Sequence, residues 1–261
     1  MSSNLRLTFF GTAAGFPTKT RPHTQSVGLW HDESLYLFDA GDGVAGQFAQ
    51  MGIPPDALRA IFLSHFHADH VGGLPVLLQW LQLNKRRAPL PIYVPDQSLE
   101  RLREFLHLVY LFPMADFDLA LLPVRGGFAH EVDDLLVKPI PSHHLEAGEE
   151  RRAKRGERAE CQAFSYLIEA DDKKIYLSGD IASPEEVARH AAGADLAIVE
   201  LAHFTPEELG EAISAAGLGR LVVTHLLDTL EPEEATIPDR LRAVGYDGNV
   251  IVATDGLELE L

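Results

Sequence analysis

The segment Ser64-His65-Phe66-His67-Ala68-Asp69-His70 sets three imidazoles and a carboxylate within six positions, directly after the apolar run Ala60-Ile61-Phe62-Leu63. On an extended strand end alternate side chains share a face, so His65 and His67 converge on one point. Gly72-Gly73 predicts a turn just beyond, which leaves Asp69 and His70 to face a second point nearby. Neutral imidazoles and a carboxylate suit zinc, with iron or manganese as the other candidates. Two divalent ions held this way share a water and lower its pKa, giving hydroxide at neutral pH. They also neutralise charge developing on a phosphoryl or acyl oxygen.

Two ions need more ligands than one segment supplies, and the rest of the chain offers them at equivalent places. His143-His144 follows Leu135-Leu136-Val137-Lys138-Pro139-Ile140, Asp180 follows Ile175-Tyr176-Leu177-Ser178-Gly179, and His225 follows Leu221-Val222-Val223-Thr224. Each stands where an apolar strand gives way to a turn. Other nucleophiles fare worse. Cys161 has no motif around it, and no Gly-x-Ser-x-Gly elbow occurs. Gly11-Thr12-Ala13-Ala14-Gly15 is neither a phosphate-binding Walker loop nor a dinucleotide fingerprint. It ends a strand, or offers backbone amides near the site.

The elements that must position these residues read as alternating short apolar runs and amphipathic stretches, an α/β pattern. Strands are predicted at 5–10, 27–30, 35–38, 60–63, 92–94, 135–140, 163–169, 174–177, 196–199, 221–224 and 250–253. Helices are predicted at 44–51, 73–83, 99–111, 184–191, 206–216 and 238–244. Ser183-Pro184-Glu185-Glu186 and Thr205-Pro206-Glu207-Glu208 each read as an N-cap, a first-turn proline and acidic first-turn residues. Hairpins in both halves favour two sheets flanked by helices over one doubly wound parallel sheet, and no linker divides residues 1–261, so one domain is expected. The Leu-, Phe- and Pro-rich stretch 105–128 reads as a buried helix, with a helical cap or dimer contact as its other outcomes. The mixed-charge stretch 145–160 reads as a solvated loop or exposed helix.

Composition narrows the partners. With 22 Lys+Arg against 39 Asp+Glu, the net charge of −17 opposes broad binding to nucleic acid or anionic membrane. A single cysteine forms no internal disulfide and points to a reducing compartment, the cytoplasm. No apolar run approaches the ~20 residues of a membrane span. The amino terminus lacks the basic flank and apolar core of a signal peptide.

The His-x-His-x-Asp-His run resembles the signature of the metallo-β-lactamase superfamily, and the likeness covers nearly the whole chain. Within it, Phe10-Gly11-Thr12-Ala13-Ala14-Gly15-Phe16-Pro17 with Arg21 and Ser26, and Leu37-Phe38-Asp39-Ala40-Gly41-Asp42-Gly43, are similar to motifs of the ribonuclease Z branch and its small phosphodiesterase relatives. Glu200-Leu201-Ala202-His203-Phe204-Thr205 is similar to the branch's His-Ser-Thr element, with Phe204 in place of Ser, and Ala253-Thr254-Asp255-Gly256 to its ending. The resemblance implies a four-layer αββα sandwich of two mixed sheets. It implies His65, His67 and His144 on one metal, Asp69, His70 and His225 on the other, and Asp180 bridging. His144 is preferred to His143 because Pro141-x-x-His144 matches the family spacing. Asp39 is expected to support the site rather than bind metal. The resemblance pairs His203 with Asp69 as proton donor or oxyanion stabiliser; the alternative is that His203 only caps the helix near Pro206. His23, His31, His107, His130 and His190 fall outside the pattern.

In the family a long arm that docks transfer RNA lies between the Asp of the fourth motif and the His-Ser-Thr element. About twenty residues separate Asp180 from His203, room for one helix and one strand, so that arm is expected to be absent. The expected activity is therefore a binuclear metal-dependent phosphodiesterase or nuclease acting on a small phosphodiester or single-stranded nucleic acid. Arg151, Arg152 and Arg155 are its candidate phosphate contacts. Hydrolysis of carboxylic or sulfate esters or lactones uses the same ligands and is the alternative. A metal oxidoreductase or binding protein on the same fold is a third reading. A homodimer is expected from the resemblance alone.

Overall fold

The computed structural model describes residues 4–112, 115–156 and 161–261. The chain forms two compact units, one of Met1–Val124 with Thr254–Leu261 and one of Arg125–Ala253.

The first unit is built on β1 (Leu5–Gly11), β2 (Ser26–His31), β3 (Ser34–Phe38), β4 (Leu58–Phe62), β5 (Leu90–Pro95) and β6 (Leu119–Val124). A closing strand, Glu258–Glu260, returns to pair antiparallel with β1. From that edge the sheet runs through three antiparallel pairings and then three parallel ones, β3–β4, β4–β5 and β5–β6. Helices α1 (Val44–Gln50), α3 (Leu74–Leu83) and α4 (Leu99–Leu108) cover it, with the short α2 (Ala68–Val71) between α1 and α3. Leu77 and Leu81 of α3 recur one turn apart and bury against Leu37, Ile61 and Ile92 of the sheet. Each fully buried side chain of this kind contributes roughly 1.5–3 kcal/mol.

The second unit repeats the same succession of pairings. Strands β7 (His130–Val132), β8 (Leu135–Ser142), β9 (Ala163–Ala170) and β10 (Lys173–Leu177) are antiparallel neighbours; β11 (Leu196–Glu200), β12 (Arg220–Thr224) and β13 (Asn249–Val252) continue in parallel from β10. Val187 of α6 (Glu185–His190), Leu209 and Ile213 of α7 (Pro206–Ile213) and Leu241 of α8 (Ile237–Ala243) pack with Ala197, Val199, Leu221 and Val223. Helix α7 begins as predicted. Thr205 Oγ1 accepts from Glu208 N at 3.2 Å while the Glu208 carboxylate accepts from Thr205 N at 2.7 Å, a capping box.

Two expectations are corrected. The stretch 105–128 is not one helix: α4 ends at Leu108, and Leu119–Val124 is the edge strand β6, where Pro123 costs no ladder hydrogen bond. Ser183 is not the cap of α6. Pro184 holds that position, and Ser183 hydrogen-bonds the Glu185 carboxyl, holding it below the ordinary carboxylate range. Part of the charged stretch is the exposed helix α5 (Glu146–Ala153), the second of its two expected forms; residues 157–160 of that stretch, and 113–114 of the apolar one, lie outside the described residues. Among the described residues no helix is long and apolar enough to cross a membrane.

Candidate metal centre

In the first unit β4 ends at Phe62, with Leu63 N still bonded to Tyr93 O, so His65 and His67 stand on the connection to α2 rather than on the strand itself. They still meet: their ring centroids lie 4.6 Å apart, edge to face, and His65 lies 4.2 Å from His70. His67 caps the four-residue helix α2, whose first turn carries Asp69 and whose last carries His70. This connection is packed against the end of β3. Ala40 N donates to His70 O at 2.7 Å and Gly73 N to Ala40 O at 2.9 Å. A Cβ on Gly41 would stand 2.4 Å from Asp69 O, and one on Gly73 would stand 1.9 Å from Gly41 O. Only glycine permits that approach.

Behind the imidazoles sits a buried carboxylate. Asp39 has φ 61°, a left-handed conformation Asp tolerates better than most residues, and this turns its side chain back beneath the site. Its Oδ2 lies 2.7 Å from His70 Nδ1 and accepts from Ser64 Oγ at 2.8 Å; Oδ1 accepts from Ser64 N at 2.7 Å. Ser64 Oγ is 3.0 Å from His65 Nδ1. Both imidazoles are thus held by Nδ1, which presents Nε2 as the ligand atom, and His70 Nε2 faces Asp69 Oδ2 at 3.8 Å. The same Asp69 oxygen accepts from Gly15 N at 2.7 Å. The loop amide weighed in the sequence is therefore in place.

In the second unit the candidates gather at the carboxyl ends of β8, β10, β11 and β12. Asp180 is buried, and its two oxygens face different imidazoles: Oδ2 lies 3.5 Å from His144 Nε2, Oδ1 lies 3.3 Å from His225 Nε2. Ser142 ties the approach by donating to Asp180 O at 2.8 Å and accepting from His144 N at 3.2 Å. His225 has φ 55°, a strained left-handed turn for His at the end of β12. His143 points elsewhere. Its half-exposed ring lies 3.7 Å from Glu186 and 3.8 Å from Glu146.

Glu200 heads the Glu200–Thr205 element and carries no role predicted from sequence. It is buried at the end of β11, and its carboxylate accepts from the N–H groups of Ile181, Ala202 and His203 at 2.8–3.2 Å. It also lies 2.8 Å from His203 Nδ1, and atoms of Asp180, Glu200 and His203 all fall within 4.8 Å of one another. The His203 ring is 4.6 Å from that of His144 and partly exposed. One signal could have found Glu200: an acid three residues before a candidate proton donor. Arg151, Arg152 and Arg155 are exposed on and just after α5.

The donor set is nitrogen and carboxylate oxygen only, with imidazoles fixed through their second nitrogen, and it fits divalent metal ions. A family model described as a beta-lactamase superfamily domain matches residues 35–226. The chain belongs to that superfamily. Within it the protein is a ribonuclease Z-like, metal-dependent hydrolase. The ribonuclease Z of Methanothermobacter thermautotrophicus is 31% identical over 268 residues, covering 85% of this chain and 86% of that one. Two solved structures share the β-lactamase superfamily fold. The metallo-beta-lactamase fold protein YhfI from Bacillus subtilis superposes with TM-score 0.80 at 19% identity, over 99% of this chain and 100% of that one. The short form of human tRNase Z does so at 0.71 and 20%, over 97% and 98%. The helix α6 and strand β11 are the elements between Asp180 and His203, as the spacing predicted.

Proposed function

We propose that this protein hydrolyses phosphodiesters at two divalent metal ions, zinc in the first instance, with small phosphodiesters or single-stranded nucleic acid as substrate. The observation that carries the pair of metals is Asp180, each of whose oxygens faces a different imidazole, His144 and His225. A carboxylate so placed would be shared by the two ions. Following the family pattern, His65, His67 and His144 would hold one ion and Asp69, His70 and His225 the other. Bound ions of this kind activate water and stabilise charge on phosphoryl oxygens.

The chain's own groups supply the rest. His203 is held at Nδ1 by Glu200, so the proton it gives to the departing oxygen resides on Nε2. Asp69, fixed by Gly15 N, is its partner in the family pattern. Arg151, Arg152 and Arg155 provide exposed cations for substrate phosphates on an otherwise acidic chain. A cytoplasmic setting accords with the single Cys161, and a homodimer with the family.

The test is hydrolysis of bis(p-nitrophenyl) phosphate beside p-nitrophenyl acetate and sulfate, with zinc, manganese and iron each supplied. Turnover of the phosphodiester that disappears in Asp180→Ala is expected. Turnover confined to the acetate or sulfate would overturn the reading.

A further inference from the structure

We infer that the cleft between the starts of α6 and α7 receives the leaving group of the phosphodiester, and that its carboxylate wall selects an uncharged or cationic alcohol over one that carries a further anion. This rests on the phosphodiesterase reading above and narrows its substrate. A small diester is favoured over a nucleic acid strand, whose next phosphate would press on the same wall.

The cleft encloses about 480 Å³, a size that takes a small organic group. Its lining lies wholly in the second unit and includes Pro184 and Glu185 at the start of α6, with Phe204, Glu208 and Glu211 from α7 and the turn before it. His203 stands in the same lining, and its ring is partly exposed. The Nδ1 of that ring is spent on Glu200, which leaves Nε2 for the substrate. Hydrolysis joins the hydroxyl of water to phosphorus, breaks the bond to the departing alcohol and moves the His203 proton to that oxygen; the second proton of the water restores the imidazole. The rest of the alcohol is attached to the oxygen that meets His203. The cavity that His203 borders is therefore where it fits.

The wall carries one sign of charge. Glu185, Glu208 and Glu211 all contribute to it, and among the described residues that line it there is no lysine or arginine. Ser183 hydrogen-bonds the Glu185 carboxyl and holds it below the ordinary carboxylate range, so it is ionised at neutral pH. Arg189 also acts on Glu185 but stands outside the lining. The Glu208 carboxylate is fixed in place by Thr205 N and Oγ1, at 2.7 and 3.0 Å. Within a Debye length, ~8–10 Å, such carboxylates repel an anionic group and attract a cationic one. Phe204 stands where the family element has serine and gives the cleft an apolar side, which suits the carbon frame of an alcohol.

The experiment compares kcat/KM at neutral pH for three methyl aryl phosphates whose departing phenols are alike in acidity. These are phenol itself, the cationic 4-(aminomethyl)phenol and the anionic 4-(carboxymethyl)phenol. The wild type should prefer the cationic ester over the anionic one by about tenfold, with the neutral ester between them. That ratio should fall to within about twofold of one in Glu185→Gln/Glu211→Gln, a pair that spares the Thr205 cap, and Glu211→Gln alone should lie between. Removing two charges from the exposed Glu100 and Glu104 of α4, as Glu100→Gln/Glu104→Gln, should leave the ratio at its wild-type value. Each ratio is taken on one preparation, so the amount of folded protein cancels. A wild-type ratio within about twofold of one, a ratio that the cleft pair leaves unmoved, or an equal fall in the α4 pair overturns the inference and leaves the phosphodiesterase reading intact. A wild type that cleaves none of the three esters overturns both.

Discussion

The Asp39 carboxylate lies 2.7 Å from His70 Nδ1, although the two residues are 31 positions apart in the chain. The same carboxylate holds Ser64 by both its backbone N–H and its hydroxyl. It fixes which nitrogen of His70 is offered to metal. Asp39→Asn should therefore lower metal affinity by about 10–100-fold, read by competition with a chelator. Affinity equal to that of the wild type would mean that His70 is oriented by packing alone.

His143 and His144 are adjacent in sequence and face different partners. His144 faces Asp180 and is nearly buried, whereas His143 is half exposed beside Glu146 and Glu186. His144→Ala should reduce bound metal, measured by elemental analysis after gel filtration, and abolish turnover. His143→Ala should retain both within about twofold. The reverse pattern would reassign the ligand.

Glu200 and His203 should behave as one unit. Glu200→Gln and His203→Ala are each expected to lower kcat by about 10²-fold with little change in KM. The double variant should be no slower than His203→Ala alone, because the carboxylate acts through the imidazole. Additive losses would place Glu200 in a separate role.

Stability should fall in strong alkali through Tyr246. Its buried hydroxyl donates to Leu218 O at 2.9 Å, and burial pushes its pKa up to about 12. The unfolded tyrosine loses its proton near pH 10, so between pH 10 and 12 the folded state binds more protons and stability drops as pH rises. Tyr246→Phe should cost about 1 kcal/mol at pH 8 through the lost hydrogen bond. That deficit should narrow towards pH 12 in urea titrations. A constant deficit would remove Tyr246 from the alkaline transition. Tyr176, pushed up by burial and bonded to Ser165 Oγ, acts in the same sense.

The parallel strands β10, β11 and β12 were legible because each is a run of β-branched and other apolar residues ended by a polar one. Their polar ends, Asp180, Glu200 and His225, cluster because parallel strands in register finish at the same edge. Strand β6 escaped notice since Leu119–Val124 contains a proline and lacks alternation, which only an edge position tolerates. The closing strand is three residues long, too short for any period to show. The groups that carry chemistry announced themselves by type and spacing. Asp39 and the Gly11–Gly15 loop were legible as support, but not the atoms they hold: Asp39 on His70, Gly15 on Asp69 and Ser142 on Asp180 are brought together across 31, 54 and 38 positions by the tertiary fold.

The closing strand makes the first unit a matter of timing as well as geometry. Phe9 exchanges backbone hydrogen bonds with Gly256 and Leu257, and Thr12 bonds Asp255, so residues 5–124 await partners that a ribosome delivers only after residues 125–253. Until then β1 is an unprotected sheet edge, and the loop bearing Gly15 and Phe16 lacks its clamp. A nascent chain can therefore carry His65, His67, Asp69 and His70 and still lack the clamp on the loop whose Gly15 N holds Asp69. Closure of that edge is therefore one of the later events in the folding of the first unit.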